Sequence, residues 1–502
     1  MKLLTSLSFG VAAAIAVPNS GAHADTLGDA LARAYENNPS LQGSRALARA
    51  ADETVTRAKA TYGPTLAASA SHAFTASRTR GTLFDSDDQG FASTAELSLS
   101  QPLFTSGRLA AGVDAARADQ LIQRETLRAA SQQLILDVVN AYVSLQRDIE
   151  LYGVAVENYD LLLQQRDVTA SRYRLRDSTA TDVDQTANRL ELAAGRVIVA
   201  RATVENSAAR YRNLVGAYPD TLAPPPPLAP VPSLDSLYNE AEENNPQFAA
   251  ARYAELRSRS VVAAARAEML PQVQGFATLG RSPLSPYNNT QRQESVVAGV
   301  SLSMPFYTGG QLSASLREAL ERNVADQQFA EQARRDMREN LATDWNLYQA
   351  SSEAMPRYDA AVQTAQSAIE GVKRQETSGI RTLRDVLDVT NDLLAARTAA
   401  VQTKAEIYLR QVALMRDAGI LSIEWFATVA PYDPSSYRPA GAALAGLPLE
   451  PVLQPIDRLL LNSGVRSVAV EREQSTTLDW KEGAADPLHP ISGGDRGTVE
   501  DR

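Results

Sequence analysis

Two pairs of segments alternate between apolar and polar residues with a period of two, which is the pattern of β-strands. In one segment, Phe91 and Leu97 share one parity while Thr94 and Ser98 share the other. The pattern predicts four strands, near 65–77, 91–102, 272–282 and 294–304. Such two-faced strands are typical of a barrel wall with lipid outside and water inside, and also of an ordinary half-buried strand pair. Periodicity leaves both readings open.

Much of the remaining chain follows the seven-residue spacing of packed helices. Apolar residues recur every seven positions from Ile135 to Leu163, and again from Leu341 to Ile369. The first series predicts a helix over 105–172, about 100 Å long. Helices of about half that length are predicted at 26–61, 182–217, 233–269 and 383–418. In each repeat, the two shorter helices stacked end to end would equal the long helix in length. We therefore expect each repeat to lay one long helix beside a stacked pair, as in the wall of a cylinder.

The chain contains an internal duplication. The sequence Glu-Asn-Asn-Pro at 36–39 recurs at 243–246, and residues 102–109 match 305–312 at an offset of 203. We therefore divide the chain into a first repeat at 25–217, a stiff proline-rich linker at 218–232, and a second repeat at 233–432. Residues 433–502 are rich in proline, glycine and charge without a lasting period, which predicts a largely disordered C-terminal tail.

The first 24 residues have the features of a signal peptide. Lys2 precedes an apolar run of about 15 residues, and Ala22-His23-Ala24 is a small-x-small cleavage site. The run is shorter than the roughly 20 residues of a membrane-spanning helix. The mature protein is therefore expected to begin at Asp25 and to be exported.

Composition removes several classes of function. The 502 residues include no cysteine and only three histidines, so thiolate metal sites, cysteine nucleophiles and histidine-relayed triads have little to work with. We predict no enzymatic activity and no cofactor. Asp85 begins a run close to calcium-loop spacing, but strand signals flank it, which favours a solvated hairpin turn and no metal site. The formal net charge of −10 argues against nucleic acid as a partner.

The order helix, strand, loop, strand, long helix, break and helix, repeated once after a signal peptide, resembles the TolC family of outer-membrane efflux channels over 25–432. The most specific match is Gly-Ile-Arg-Thr-Leu-Arg-Asp-Val-Leu-Asp at 379–388, which is similar to the family's second periplasmic tip. The resemblance implies an α+β fold. A long α-helical coiled-coil periplasmic barrel would be joined to a twelve-stranded membrane β-barrel, to which each of three protomers gives four strands.

The resemblance also implies a function and its partners. The chain would be a homotrimeric channel in contact with outer-membrane lipid, extending into the periplasm. It would export small molecules, or unfolded proteins in type I secretion, from an inner-membrane ABC or RND transporter through a periplasmic adaptor (membrane fusion) protein. The alternative is a soluble periplasmic coiled-coil scaffold or adaptor, which requires the alternating segments to form an internal sheet.

Site residues follow from the resemblance position by position. Arg381, Asp385 and Asp388 stand where the family has its periplasmic constriction, and Thr181 and Asp182 stand where their first-repeat partners lie. The tips that contact the adaptor would be formed by Arg172, Tyr173, Gly379 and Thr382.

Two positions depart from the family pattern. Arg176 replaces the usual glycine of the first tip, and Glu376 replaces a tyrosine that helps to lock the closed state. Asp385 and Asp388, three residues apart, share a helix face near its N-terminus. Alone, they are typical of a helix start. Around a threefold axis they would form a cation-attracting ring in which some carboxyls have raised pKa values or hold cations.

Overall fold

The computed structural model describes residues 25–81, 84–219, 221–440, 445 and 449–459, so the expected signal peptide lies outside the described residues. The first half consists of α1 (Leu27–Asn37), α2 (Pro39–Ala60), β1 (Thr65–Arg80), β2 (Asp85–Phe104), α3 (Arg108–Arg174) and α4 (Ala180–Val215). The second half repeats this order with α5 (Leu234–Asn244), α6 (Pro246–Ala267), β3 (Gln272–Ser285), β4 (Asn288–Ser303), α7 (Gln311–Thr377) and α8 (Leu383–Asp417). Two 3-10 helices, Ile423–Trp425 and Pro434–Ser436, and helix α9 (Glu450–Asp457) follow.

The strands form one antiparallel sheet in the order β1-β2-β3-β4. The central pair, β2 and β3, joins the two repeats, with Leu97 opposite Leu279. Ala92 is the one buried residue in the four strands, whose faces are otherwise exposed or partly exposed. A sheet with no protein core on either face differs from a half-buried sheet, which carries a core on one side.

The strands reach further than the alternation predicts. Residues 85–90, expected to be a solvated turn, lie in β2 and pair with β1, where Asp87 forms an ion pair with Arg78 at 2.6 Å. The cross-strand charge pair favours continued pairing at this end of the hairpin. The hairpin connection is therefore shorter than expected.

Each predicted first helix is broken in two. The structure ends α1 before Asn38, whose side-chain oxygen accepts hydrogen bonds from the backbone N–H groups of Ser40 and Leu41. Asn38 is thus the N-cap of α2, and Pro39 occupies the first helical position, where its missing N–H costs nothing. Asn245 caps α6 in the same way. The repeated Glu-Asn-Asn-Pro motif is a helix break.

The main apolar core surrounds the middle of α3, where it meets α1, α4 and α8. Tyr142 of the first heptad series is fully buried, and so is Val138, which lies three residues after Ile135. Leu341, the first residue of the second series and the equivalent of Val138 at the offset of 203, is fully buried as well. The register of the seam is therefore the same in both repeats. Further along α3, toward α4, the heptad residues are less buried, and Ile149 is 46% exposed. No helix in the described part of the chain is both long and apolar enough to cross a membrane.

The expected disordered tail is folded in part. Helix α9 lies beyond residue 433, and its Asp457 is only 2% exposed. The carboxylate accepts hydrogen bonds from the backbone N–H groups of Thr105, Gly107 and Ala110 at the start of α3. These bonds order a segment whose composition alone predicts disorder. Residues from 460 onward lie outside the described part.

Candidate functional site

Two equivalent turns connect the long helices to the shorter ones that follow. The first turn, 175–179, joins α3 to α4, and the second, 378–382, joins α7 to α8. Gly379 has φ 73° and Arg176, its equivalent at the offset of 203, has φ 66°. Both residues are in the left-handed region, which costs a residue with a Cβ about 1–2 kcal/mol. The first turn therefore keeps the conformation of the second without its glycine.

Each turn ends in a capping box. Asp182 Oδ2 accepts a hydrogen bond from the backbone N–H of Thr179 at 3.0 Å, and the Thr179 hydroxyl accepts one from the N–H of Asp182 at 3.2 Å. Thr382 and Asp385 repeat the arrangement, at 2.9 and 3.4 Å. These reciprocal bonds satisfy N–H groups that a helix start leaves unpaired. Asp182 and Asp385 therefore both stabilise the first turn of a helix.

The capping bonds stabilise the charged forms of these carboxyls. The backbone N–H of Thr179 holds the pKa of Asp182 below its ordinary value, and that of Thr382 does the same for Asp385. Within one chain the pKa of Asp385 is thus lowered, which differs from the raised values expected of a crowded carboxylate ring. The capping hydrogen bonds lie within one chain, whereas repulsion between carboxylates around a threefold axis requires three chains.

An ion pair joins the two turns of one chain. The guanidinium of Arg172, at the end of α3, bonds to the carboxylate of Glu376, at the end of α7. The side chains are 28% and 12% exposed, so this pair is better shielded from water than an ordinary surface pair. Glu376, noted in the sequence only as a departure from the family, is therefore the partner of a predicted tip residue. Their separation of 204 residues hides the pairing from local patterns.

A second contact joins α4 to α8 beside the turns. Asp388 lies 3.6 Å from Arg189 on α4 and 3.7 Å from Arg384 on its own helix. Leu190 and Leu387 belong to a small apolar cluster of α3, α4 and α8. Arg189 was not singled out in the sequence, although its position seven residues after Asp182 places it on the same helix face.

The remaining predicted residues lie around these contacts. Arg381 is 3.8 Å from Asp385, a loose surface pair. Tyr173 is 49% exposed, and Thr181 and Thr382 are also exposed. The equivalent stretches 170–185 and 373–388 together carry seven basic and six acidic side chains, so charges of both signs are nearly balanced at the tips. Among the described residues, no group of three or more His, Cys, Asp or Glu side chains is placed to hold a metal ion.

A duplicated unit of long helices with a shared, uncovered sheet defines a channel-type fold, and comparison with known proteins identifies the family. The family model described as "Outer membrane efflux protein" matches residues 30–217 and 237–419. The chain belongs to this family.

Individual relatives agree with the family assignment. The chain is 28% identical over 417 residues to outer membrane efflux protein BepC of Brucella suis, covering 82% of this chain and 90% of that protein. It is 24% identical over 426 residues to outer membrane protein TolC of Escherichia coli, covering 80% and 84%. It is 27% identical over 352 residues to alkaline protease secretion protein AprF of Pseudomonas aeruginosa, covering 67% and 71%.

Solved structures show the same fold. The Campylobacter jejuni CmeC outer membrane channel superposes with a TM-score of 0.71 at 15% identity, covering 82% of this chain and 88% of that one. VceC of Vibrio cholerae gives a TM-score of 0.68 at 20% identity, covering 78% and 96%.

The predicted TolC-type fold and family are confirmed. The protein is an outer-membrane export channel that extends into the periplasm, and the alternative of a soluble scaffold is not favoured. Its family is one of channel proteins.

Proposed function

We propose that the chain assembles into a homotrimeric duct that receives small molecules or proteins from an inner-membrane ABC or RND transporter through a periplasmic adaptor. The supporting observation is the packing of α3 against α6, which brings a long helix of one repeat against the second helix of the other. Helix α7 is the equivalent of α3, and a second copy of α2 is the equivalent of α6. The same interface between chains would build a closed ring by repetition.

The two turns would close the periplasmic end of this duct. In the proposal, Asp385, Asp388, Arg381, Thr181 and Asp182 surround the constriction. The adaptor is contacted at the tips by Arg172, Tyr173, Gly379 and Thr382. Support comes from the arrangement within one chain, where the Arg172–Glu376 pair and the Asp388–Arg189 contact hold the two turns together.

The names of relatives support both cargo classes. BepC is an efflux protein, whereas AprF and PrtF of Dickeya chrysanthemi are named for protease secretion. A passive duct without a cargo-specific site serves either class, because the transporter selects the substrate.

Ion selectivity in planar bilayers tests the gate. The Asp385→Ala, Asp388→Ala double variant should lose cation selectivity and block by divalent cations, because a ring of carboxylates attracts cations. Asp388→Ala alone should account for most of the loss, since Asp385 is engaged in its cap while Asp388 has only loose partners. Arg381→Ser should raise conductance by loosening the tip.

The matched control is Asp336→Ala, which removes an exposed carboxylate from α7 far from the turns. If the double variant kept wild-type selectivity and cation block, these carboxylates would only stabilise the start of α8 and would not form the gate. A mass measurement on the detergent-solubilised protein tests the trimer separately.

A further inference from the structure

The strand-to-helix turns of the two repeats are equivalent in sequence and backbone. Each long helix begins after a glycine in the left-handed region, Gly107 with φ 93° and Gly310 with φ 88°. Neither N-cap residue has a side chain that can bond the helix start. We call residues 102–107 the first turn of the sheet and residues 305–310 the second turn of the sheet.

The first turn of the sheet is covered by α9. Asp457 accepts hydrogen bonds from the backbone N–H groups of Thr105 at 2.8 Å and Gly107 at 2.9 Å, and from the Tyr62 hydroxyl at 3.3 Å. Arg458 adds an ion pair with Asp114 at 2.6 Å. The C-terminal helix thus supplies the cap that the turn lacks.

None of the described elements covers the second turn of the sheet. Phe306 is 91% exposed and Tyr307 89% exposed, whereas their equivalents Leu103 and Phe104 are partly buried. Two adjacent aromatic side chains that none of the described residues covers are unusual at a turn, and they offer an apolar surface to another molecule.

Helix α9 has an uncovered apolar face of its own. Val452 and Ile456 on α9, and Leu459 two residues beyond its end, follow each other at spacings of four and three residues and are all exposed. These spacings place the three residues on one side of the helix axis. The C-terminal helix therefore presents an apolar stripe, while Asp457 points into the first turn of the sheet.

The edges of the sheet bring these surfaces together. Strands β1 and β4 each have one unpaired edge, and every neighbouring pair in the sheet is antiparallel. If β4 of one chain continues this pattern onto β1 of the next, the end of β4 at Ser303 lies beside the start of β1 at Thr65. Tyr62, just before β1, contacts Asp457.

From this geometry we propose that α9 of one protomer clasps the second turn of the sheet of the next protomer. The molecule that covers the apolar side of α9 is a second copy of this chain. Val452, Ile456 and Leu459 pack on the partner's Phe306 and on the tyrosine that follows it. The inference rests on the proposed trimer and adds a role for the C-terminal helix within it. Each α9 then holds two turns, its own through Asp457 and its neighbour's through apolar contact.

Crosslinking in native membranes tests the clasp. The chain has no cysteine of its own, so only the introduced cysteines react. The pair Ile456→Cys and Phe306→Cys, treated with a short bis-maleimide, should give covalent dimers and trimers on denaturing gels. The matched control pair, Ile456→Cys with Leu103→Cys, uses the first-repeat equivalent of Phe306 and should give no links between chains.

The outcomes separate the clasp from the trimer. Native mass spectrometry of the unlinked variant measures the trimer independently. A trimer without links between 456 and 306, or with links inside one chain only, overturns the clasp and leaves the trimer standing. Absence of the trimer overturns both.

Lipid is the rival occupant, because aromatic side chains also gather at membrane interfaces. Strong labelling of Phe306→Cys by a lipid-soluble thiol probe, together with absent chain-to-chain links, would assign the turn to lipid and overturn the clasp. A second readout is the temperature at which trimers dissociate on gels. Ile456→Asp and Phe306→Asp should each lower it, and the double variant should lower it little further than either single one. Additive effects would contradict direct contact.

Discussion

At the scale of single residues, Asp417 at the end of α8 has an unusual environment. It lies beside a cavity of about 390 Å³ that is also lined by Asp344, Glu406, Arg410 and Arg416. Burial raises its pKa to about 6, and the neighbouring Asp344 adds to the rise while Arg416 opposes it. Oδ1 accepts a hydrogen bond from the guanidinium of Arg416 at 2.8 Å, while Oδ2 is buried and has no hydrogen-bond partner among the described residues. The charged form is therefore the unfavourable one.

Stability should consequently fall as pH rises through the titration of Asp417. An unfolded aspartate has a pKa of about 3.9, so the folded chain binds this proton more tightly. Well below pH 4 both states hold the proton. As the pH rises from the unfolded pKa of about 4 through the folded pKa of about 6, this group lowers the free energy of unfolding by up to about 3 kcal/mol.

Asp417→Asn keeps the side chain neutral, so its melting temperature should vary less between pH 4.5 and 7 than that of the wild type. Differential scanning fluorimetry in detergent measures this, with exposed Asp336→Asn as the control. A variant whose pH profile parallels the wild type would contradict the assignment.

At the scale of elements, the turn after α3 carries strain that the turn after α7 avoids. Arg176→Gly should stabilise the first turn by about 1 kcal/mol, because glycine adopts a positive φ without steric cost. Gly379→Ala should destabilise the second by a similar amount, although its Cβ would meet nothing within 4 Å. Hydrogen exchange of peptides spanning each turn measures the local opening.

The control for this pair is Arg174→Gly, in the last turn of α3, which should destabilise by about 1 kcal/mol. If Arg176→Gly behaved like this control, backbone conformation would not be what distinguishes the two turns.

The pairing of the helix ends gives a further prediction. Arg172→Ala and Glu376→Gln should each raise channel conductance, because removing one partner of a shielded pair loses about 1–3 kcal/mol of contact between the turns. The reversed pair, Arg172→Glu with Glu376→Arg, should return conductance toward the wild-type level in planar bilayers. Exposed Arg174→Ala serves as the control. Failure of the reversal to restore conductance would argue against a direct tie.

Sequence patterns predicted these elements where the signal was local. The alternation placed all four strands, and the heptads placed α3, predicted at 105–172, within three residues at each end. The break at Asn38 was missed because the asparagine and proline read equally well as part of a longer helix. The Arg172–Glu376 and Asp457–Gly107 contacts could not be predicted, since their partners lie 204 and 350 residues apart.

At the scale of the whole molecule, the two repeats share an architecture and differ in burial. Helices α3 and α7 both have 67 residues, but eighteen are buried in α3 and five in α7. Large apolar side chains such as Val324 and Phe329 remain exposed on α7. Because α3 already packs against both repeats, the uneven burial is what the proposed ring requires, in which α7 packs against another chain.

Hydrogen exchange should show this difference. In separated protomers, backbone amides of α7 should exchange faster than those of α3, and assembly should slow α7 far more than α3, because burial suppresses local opening. Mass spectrometry of peptides from both helices measures the change, and α3 is the internal control. Equal protection of the two helices before assembly, or no gain in α7 on assembly, would contradict the proposed ring.

The tie between Arg172 and Glu376 has a consequence for how the proposed trimer would open. Both partners belong to one subunit, so releasing it in one subunit leaves the other two unchanged. Opening is then not obliged to be all-or-none. Mixed assemblies of wild-type and Arg172→Ala subunits should display intermediate current levels, graded by the number of altered subunits, and a cell that expresses both forms would become leaky in proportion to the share of altered subunits.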